Sequence, residues 1–319
     1  MKYLITGGCG FIGSHLAERL LKEGNEVFVI DDLSTGNLNN VEHLIKKKGF
    51  HLTIDTILNE AILNEMIREV DFVFHLAAVV GVKRVMENPV DSVIINVEGT
   101  YNVLKSSASF MKRTLVASTS EIYGKNDRVP FTEDADIIIG NTKKKRWSYA
   151  CAKAIDEFLA FAFFEEKNLP ISIVRLFNTV GPRQSERYGM VIPRFISQAL
   201  ANNPLTVFGS GEQTRCFMHV LDVINALLQL VKKEEIYGDV FNIGSSEEIT
   251  VKELAETIIR ITGSKSEILF IDPKDIYKKG FEDMKRRVPD TTKIRNLIDY
   301  KIEYNIEDII KDCLKEKHK

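Results

Sequence analysis

Residues 2–13, KYLITGGCGFIG, decide the fold. KYLIT is short, apolar and rich in β-formers, the mark of a buried strand. It runs straight into TGGCGFIG, where Gly7, Gly10 and Gly13 leave the backbone bare. Phe11 to Lys22 then repeats apolar residues at helical spacing and stops near Gly24. Strand, glycine turn and helix in that order form a diphosphate cradle. The turn is tight, the anion must come close to the backbone, and the helix N-terminus supplies the positive end of its dipole. EVFVID (26–31) is the next strand, and Asp31 at its end stands where a carboxylate accepts from both hydroxyls of an adenosine ribose. A 2′-phosphate there would meet a negative charge, so NAD is the expected cofactor rather than NADP.

The same rhythm continues outward. VDFVFHLA (70–77) is almost continuously apolar, as expected when both faces of a parallel sheet are covered. Asn88-Pro89 opens a helix running to about Phe110, and RTLVAST (113–119) is a strand. A helix from about Trp147 to Lys167 and the strand ISIVRLF (171–177) follow. The expected fold class is α/β, a doubly wound parallel sheet of Rossmann type with a smaller C-terminal substrate lobe. After Asn178 the Gly/Pro-rich pieces NTVGPRQ, NNPLTVFGSGEQ and NIGSSEEIT break the pattern. The expected division is a cofactor domain over 1–177, with 217–244 returning to its sheet, and a substrate lobe over most of 178–319.

Composition narrows the function classes. Of 319 residues, 44% are hydrophobic and 28% charged, an ordinary globular balance. A net charge of −2 provides no field for nucleic acid or an anionic membrane, so any phosphate must be held locally. Glycines interrupt the apolar start too early for a signal peptide, and no apolar run is long enough to span a bilayer. Met1 reads as the mature start. The four cysteines, Cys9, Cys151, Cys216 and Cys313, lack disulfide density and zinc spacing, which points to a reducing cytoplasm and no metal. The basic runs Lys46–Lys48 and Lys143–Arg146 read as solvated surface or loop.

YACAK places Tyr149 and Lys153 one turn apart on one helix face. A free phenol, with a pKa of about 10, is a poor base at neutral pH. A nearby ammonium and an oxidised nicotinamide ring both favour the phenolate, which can then take a sugar hydroxyl proton as hydride leaves. His75 alone reads as a packed polar residue and takes no catalytic role.

The glycine spacing is GxxGxxG, and with YACAK it resembles the extended short-chain dehydrogenase/reductase superfamily along nearly the whole chain. The resemblance implies an NAD-dependent enzyme acting on a nucleotide-linked sugar. It places Phe11 and Ile12 with the glycines at the dinucleotide. HLAA, with Leu76, Ala77 and Ala78, matches the nicotinamide side, and Asn96 the family's helix asparagine. Asp55-Thr56 departs from the acidic-apolar pair usual beside the adenine. Thr119 matches the hydroxyl that bonds the reacting oxygen, flanked by Ser118 and Ser120. Glu121, in STSEIYG, matches the glutamate of the nucleotide-sugar decarboxylases and dehydratases. Ser120 replaces the aspartate that the 4,6-dehydratases carry, which points away from dehydration. RWSYACAK and RRVPD (286–290) resemble the decarboxylases acting on UDP-glucuronate. Arg287 would then be a proton donor or carboxylate partner, or equally a diphosphate clamp; Glu121 could also be a plain salt bridge or a ribose contact. Asn178 and Arg215 match substrate-diphosphate positions, and Phe208 matches the position packing near the base. Arg183 and Arg187 contact substrate or cap a loop.

The leading expectation is C4 oxidation and decarboxylation of UDP-glucuronate, with a 4-epimerase of UDP-glucose or UDP-glucuronate as the alternative. A 4,6-dehydratase, a non-catalytic NAD(H)-binding regulator and a nucleic-acid-binding relative rank lower. Ala154, Ile155, Phe158, Leu159, Phe161, Ala162, Phe163 and Phe164 make the helix after Tyr149 apolar nearly all round. A second packed face is therefore expected, either a homodimer through this helix and the 90–110 helix or cover by the C-terminal lobe.

Overall fold

The computed structural model describes residues 1–186, 190–272, 284 and 286–317. Arg187 lies outside them. The chain opens with β1 (Lys2–Thr6), α1 (Phe11–Lys22), β2 (Glu26–Ile30) and β3 (Phe50–Thr53). It continues through α2 (Glu60–Glu69), β4 (Phe72–His75), α3 (Val82–Glu87), α4 (Pro89–Ser109), β5 (Arg113–Thr119), α5 (Ser148–Lys167) and β6 (Ile171–Leu176). Across the seven-stranded sheet the order is Asp239–Ile243, β6, β5, β4, β1, β2, β3. Every ladder in it is parallel. Strand order reverses at β1, so the crossovers to either side diverge and leave a crevice at the carboxyl ends of β1 and β4. This is the doubly wound Rossmann arrangement.

Burial explains the sheet's sequence. Leu4, Ile5, Val27, Val29, Phe72, Val73 and Phe74 are all buried, which requires helices on both faces. β3 and α2 escape a reading by pattern. β3 is a short edge strand with only Phe50 buried, and His51 on it is exposed. The apolar run 70–77 also pairs over a shorter stretch than its composition suggests. Leu76 and Ala77 leave the ladder at the sheet's end, where the Ala77 amide donates to Thr6 Oγ1 at 3.1 Å.

Beyond the sheet a separate core forms from Phe195, Ile196, Leu205, Val207, Leu254, Ile258, Ile309 and Ile310. It joins α6 (Val191–Leu200), α8 (Val251–Thr262) and the terminal helix Ile306–Lys317, while α7 (Val220–Leu230) packs back on α1. A capping box, Thr250 with Glu253, starts α8. Two short strand pairs, Leu205–Phe208 with Ile268–Ile271 and Thr214–Cys216 with Glu248–Thr250, complete the lobe. No described helix is long and apolar enough to cross a membrane.

α5 turns Ala150, Ala152 and Ala160 inward. Among the described residues its other face is not covered by the lobe: Ile155 is 44% and Phe158 71% exposed. On the adjoining α4, Val90, Val93, Ile94 and Tyr101 are also exposed.

A buried ion pair ties this layer together. Arg175 on β6 donates from Nη2 to Glu157 Oε2 on α5 at 2.8 Å, and from Nη1 to Tyr123 Oη at 3.0 Å and the Glu133 carbonyl at 2.7 Å. The Tyr123 hydroxyl donates onward to Asn242 Oδ1 at 2.8 Å. Removing one partner strands the other charge, which costs about 3–5 kcal/mol. Arg175→Met is therefore expected to lower the urea unfolding free energy by that amount; a loss below about 1 kcal/mol would show that the pair does not hold the layers.

Candidate active site

A cleft of about 1820 Å³ runs along the carboxyl end of the sheet into the second lobe. That exceeds what a single small ligand fills. At one end Gly7, Gly10, Phe11, Ile12 and Gly13 form its wall. Gly7 has φ +72°, and a Cβ on Gly13 would stand 2.3 Å from the Gly7 carbonyl oxygen. No side chain caps α1 at Gly10, and the start of α1 lies at the cleft wall, where a helix N-terminus favours an anion.

Asp31 reaches this wall from the end of β2 and lines the cleft. Its oxygens already accept from the backbone: Cys9 N–H at 2.9 Å and Leu33 N–H at 2.9 Å. Burial raises its pKa against those bonds. Each carboxylate oxygen keeps a further acceptor site for a hydroxyl. Asp55 also lines the cleft, bonded to the Thr56 amide at 2.7 Å and to Asn59 Nδ2 at 3.0 Å. Leu76, Ala77 and Ala78 line the middle. Asn96 does not. Its side chain is buried and holds Val79 from both sides, accepting from the amide at 2.7 Å and donating to the carbonyl at 3.3 Å. It acts on the loop rather than facing the cleft.

His75 is buried between Thr6 and Thr100, its ring nitrogens 2.8 and 3.0 Å from their hydroxyls. Burial, and then the charge of Lys153, hold its pKa down to about 3. It is neutral packing.

Tyr149 sits half-buried in the first turn of α5, facing the cleft, with the Thr119 hydroxyl hydrogen-bonded to it. Lys153 does not line the cleft. Its Nζ bonds Asp156 Oδ2 at 2.7 Å, and both side chains are buried. The ammonium is thus paired with a carboxylate in the next turn of the same helix. Burial raises the Tyr149 pKa, Glu121 and Asp156 raise it further, and Thr119 and Arg146 oppose them.

The reading of Arg146 is corrected by the structure. Arg146, read as part of a solvated basic run, is buried and grips Glu121 bidentately, with Nη2 to Oε1 at 3.0 Å and Nη1 to Oε2. Arg287 Nη1 reaches Glu121 Oε1 at 3.0 Å from the far segment. Burial alone would raise this carboxyl, but the two guanidinium groups outweigh it and hold the pKa at about 2. Ser118 and Ser120 line the cleft beside them, and Ser118 Oγ is buried without a hydrogen-bond partner among the described residues.

At the second-lobe end, Asn178 donates to the Cys216 carbonyl at 2.9 Å and accepts from Arg287 at 3.5 Å. Arg215 lines the cleft with Nη1 on the Thr214 carbonyl at 2.7 Å, and Phe208 lies under the Arg194 guanidinium, 4.3 Å from its ring centre. Arg183 bridges the lobes, donating to Glu18 Oε2 at 2.6 Å on α1.

The profile of the GDP-mannose 4,6 dehydratase family matches residues 4–313. The chain belongs to this family. It stands among the NAD-dependent nucleotide-sugar epimerases, dehydratases and decarboxylases of the extended short-chain dehydrogenase/reductases. The UDP-N-acetyl-alpha-D-glucosaminuronate decarboxylase of Bacillus cytotoxicus is 39% identical over 312 residues, 98% of this chain and 96% of that one. UDP-glucuronic acid decarboxylase 1 of Xenopus tropicalis is 35% identical, covering 93% of this chain and 67% of its own length. The crystal structure of UDP-glucuronic acid 4-epimerase from Bacillus cereus, in complex with UDP-glucuronic acid and NAD, superposes with TM-score 0.89 at 29% identity. That match covers 99% of this chain and 98% of the epimerase.

For this family member the sequence reading missed Arg146 and Asp156. Arg146 stands just before the sole tryptophan and Tyr149, where a helix start meets the cleft. Asp156 is an acid one turn after Lys153 on the same helix, beside Glu157.

Glu121 also makes stability depend on pH. Its folded pKa lies below the ordinary 4.5, so its contribution is complete above that value and disappears as pH falls through it towards about 2. Glu121→Gln removes this term. The stability gap between wild type and variant, measured by urea unfolding, is expected to narrow from about pH 6 to about pH 3. A gap that stays constant would contradict the assigned ion triad.

Proposed function

We propose that the protein oxidises a UDP-linked uronate at C4 with NAD and releases its C5 carboxylate as carbon dioxide. The observation that carries this reading is the triad beside Tyr149, where two guanidinium groups face one carboxylate. Both guanidinium groups also line the cleft at the sugar end. A uronate brings a carboxylate that they can bind, which a neutral hexose lacks. The two decarboxylase relatives support the same class, glucuronate or its 2-acetamido form.

The chain fits the dinucleotide. Gly7, Gly10, Phe11, Ile12 and Gly13 would hold its diphosphate, Asp31 its adenosine ribose and Asp55 its adenine edge. Leu76, Ala77 and Ala78 would flank the nicotinamide, with Asn96 fixing their loop. Bound NAD supplies the hydride acceptor and, later, the donor.

Tyr149 takes the C4 hydroxyl proton while Thr119 holds the oxygen, and a 4-ketone results. That ketone is β to the carboxylate. Arg146 and Arg287 hold the carboxylate until the C5–C6 bond breaks, carbon dioxide leaves, and the electron pair moves onto the C4 oxygen as an enolate. Tyr149 and Thr119 stabilise that oxygen. C5 takes a proton from water, and Tyr149 returns its proton when C4 is reduced. Glu121 is ionised throughout, so it positions the arginines and donates no proton. Lys153 supports Tyr149 from beneath. Asn178 and Arg215 would hold the substrate diphosphate, Phe208 the base, and Ser118 and Ser120 the sugar hydroxyls.

Incubation with UDP-glucuronate, its 2-acetamido analogue and UDP-glucose, followed by mass and NMR analysis, is expected to show carbon dioxide loss from a uronate. A C4 isomer of unchanged mass would make the protein a 4-epimerase instead. Glu121→Gln should cut decarboxylation by about a hundredfold or more while C4 oxidation, read as transient NADH, persists. Equal loss of both would remove the triad's role.

The exposed apolar residues of α4 and α5 support a homodimer, and the four free thiols support a reducing, cytoplasmic setting. Phe158→Glu puts a charge into that face. Sedimentation is expected to show a dimer for the wild type and a monomer for the variant; a monomeric wild type would overturn the assembly.

A further inference from the structure

Asn242 is a fully buried amide on the edge strand Asp239–Ile243, between the buried apolar residues Phe241 and Ile243. In register it stands beside Arg175 on β6. A buried carboxamide is costly unless its polar atoms are satisfied, so its partners define its task. Its Oδ1 accepts from the Tyr123 hydroxyl at 2.8 Å. Its Nδ2 donates to the Phe131 carbonyl at 2.9 Å and to the Asp290 carbonyl at 3.2 Å. Carbonyls only accept, so the amide cannot be turned round. The Tyr123 oxygen itself accepts from Arg175 Nη1 at 3.0 Å, which leaves its proton for Asn242.

These partners belong to the two segments that meet at the sugar end of the cleft. Tyr123 closes the turn Ser120–Tyr123, which carries Glu121. Asp290 lies three residues beyond Arg287, and Phe131 is paired with that stretch. The Phe131 N–H donates to the Val288 carbonyl at 2.8 Å, and the Asp290 N–H to the Phe131 carbonyl at 2.8 Å. At the cleft wall Arg287 Nη1 meets Glu121 Oε1 at 3.0 Å. The contacts therefore close a ring: Glu121 and Arg287 touch in front, and Asn242 ties their two segments together behind. On the other side of Arg287, Arg286 pairs with Glu248 at the surface, where solvent weakens the hold.

We propose that Asn242 is a positioning residue that sets Arg287 against Glu121 and so fixes the guanidinium for the carboxylate of the sugar. The inference rests on the reading of the substrate as a uronate. Asn242 does not line the cleft, so it acts through Tyr123, Phe131 and Asp290. A fully satisfied buried network of this kind specifies one arrangement, which a single surface pair does not.

Two readouts separate this role from plain packing. Asn242→Leu removes all three side-chain bonds at similar volume. Tyr123→Phe removes the tie to Asn242 and keeps the ring, and it serves if the first variant does not fold. Hydrogen exchange of the unliganded protein is expected to speed up about tenfold at the Phe131 and Asp290 amides, with β1 and β4 unchanged. Calorimetry on the NAD-loaded protein, in a Tyr149→Phe background that blocks turnover, reads affinity. Asn242→Leu should weaken UDP-glucuronate about tenfold and UDP-glucose by less than about twofold. Unchanged exchange in a folded variant, or an equal loss for both sugars, overturns the proposal. A wild type that does not prefer the uronate would sink the functional reading alone, and the exchange result would still decide the place of Asn242.

Discussion

At the turn after β1, backbone lies against backbone. Gly13 passes the Gly7 carbonyl so closely that a Cβ would stand 2.3 Å from it, and a Cβ on Gly7 would stand 2.9 Å from the Ala77 backbone. These two approaches fix α1 against β1 and β1 against the loop leaving β4. The N-terminus of α1 therefore opens where strand order reverses, the one place where crossovers leave room. Thr6 secures the junction, pairing in register with Ile30 and His75 and accepting from the Ala77 amide. Asp31, Thr119 and Asn178 reach the same crevice because each ends or follows a neighbouring parallel strand.

The reacting end depends on charges that cancel in pairs. Lys153 is balanced by Asp156 and Arg175 by Glu157, both out of solvent. The cluster of Glu121, Arg146 and Arg287 lies on the cleft wall. In a low-dielectric site fixed guanidinium groups act strongly on whatever replaces water there. An anionic sugar is the natural complement. Tyr149 is kept a weak acid by burial and two carboxylates, Glu121 and Asp156.

What could be read from the chain follows from how local each signal is. The turn at Gly7–Gly13, the paired Tyr149 and Lys153, and the central strands are written in contiguous residues, and the structure shows those elements where their periodicity puts them. β3 was illegible because an edge strand buries one face over few residues. Arg146 was misread for a different reason. Within KKKR its charge matches its neighbours, and only the fold shows that Lys143 and Lys145 face water while Arg146 turns inward to Glu121. The Lys153 partner was missed likewise, because spacing shows which residues share a face but not which charge neutralises which.

The two halves of the cleft carry different kinds of information. The half at the glycine turn, proposed for the dinucleotide, is built largely from backbone and glycine, and its geometry follows from the fold itself, so it says little about which sugar is handled. The sugar half is assembled from Thr119 and Glu121 at the end of β5, Tyr149 and Arg146 at the start of α5, and Arg287 from the distant C-terminal segment. A shared fold does not choose among epimerisation, dehydration and decarboxylation. The fate of a common 4-ketone is decided by what stands beside C5. A carboxylate pinned by two arginines cannot protonate a leaving hydroxyl at neutral pH, because its own pKa is held at about 2. It can keep two guanidinium groups in place for a substrate carboxylate, and a 4-ketone with a carboxylate one carbon further on already has a pathway for losing it.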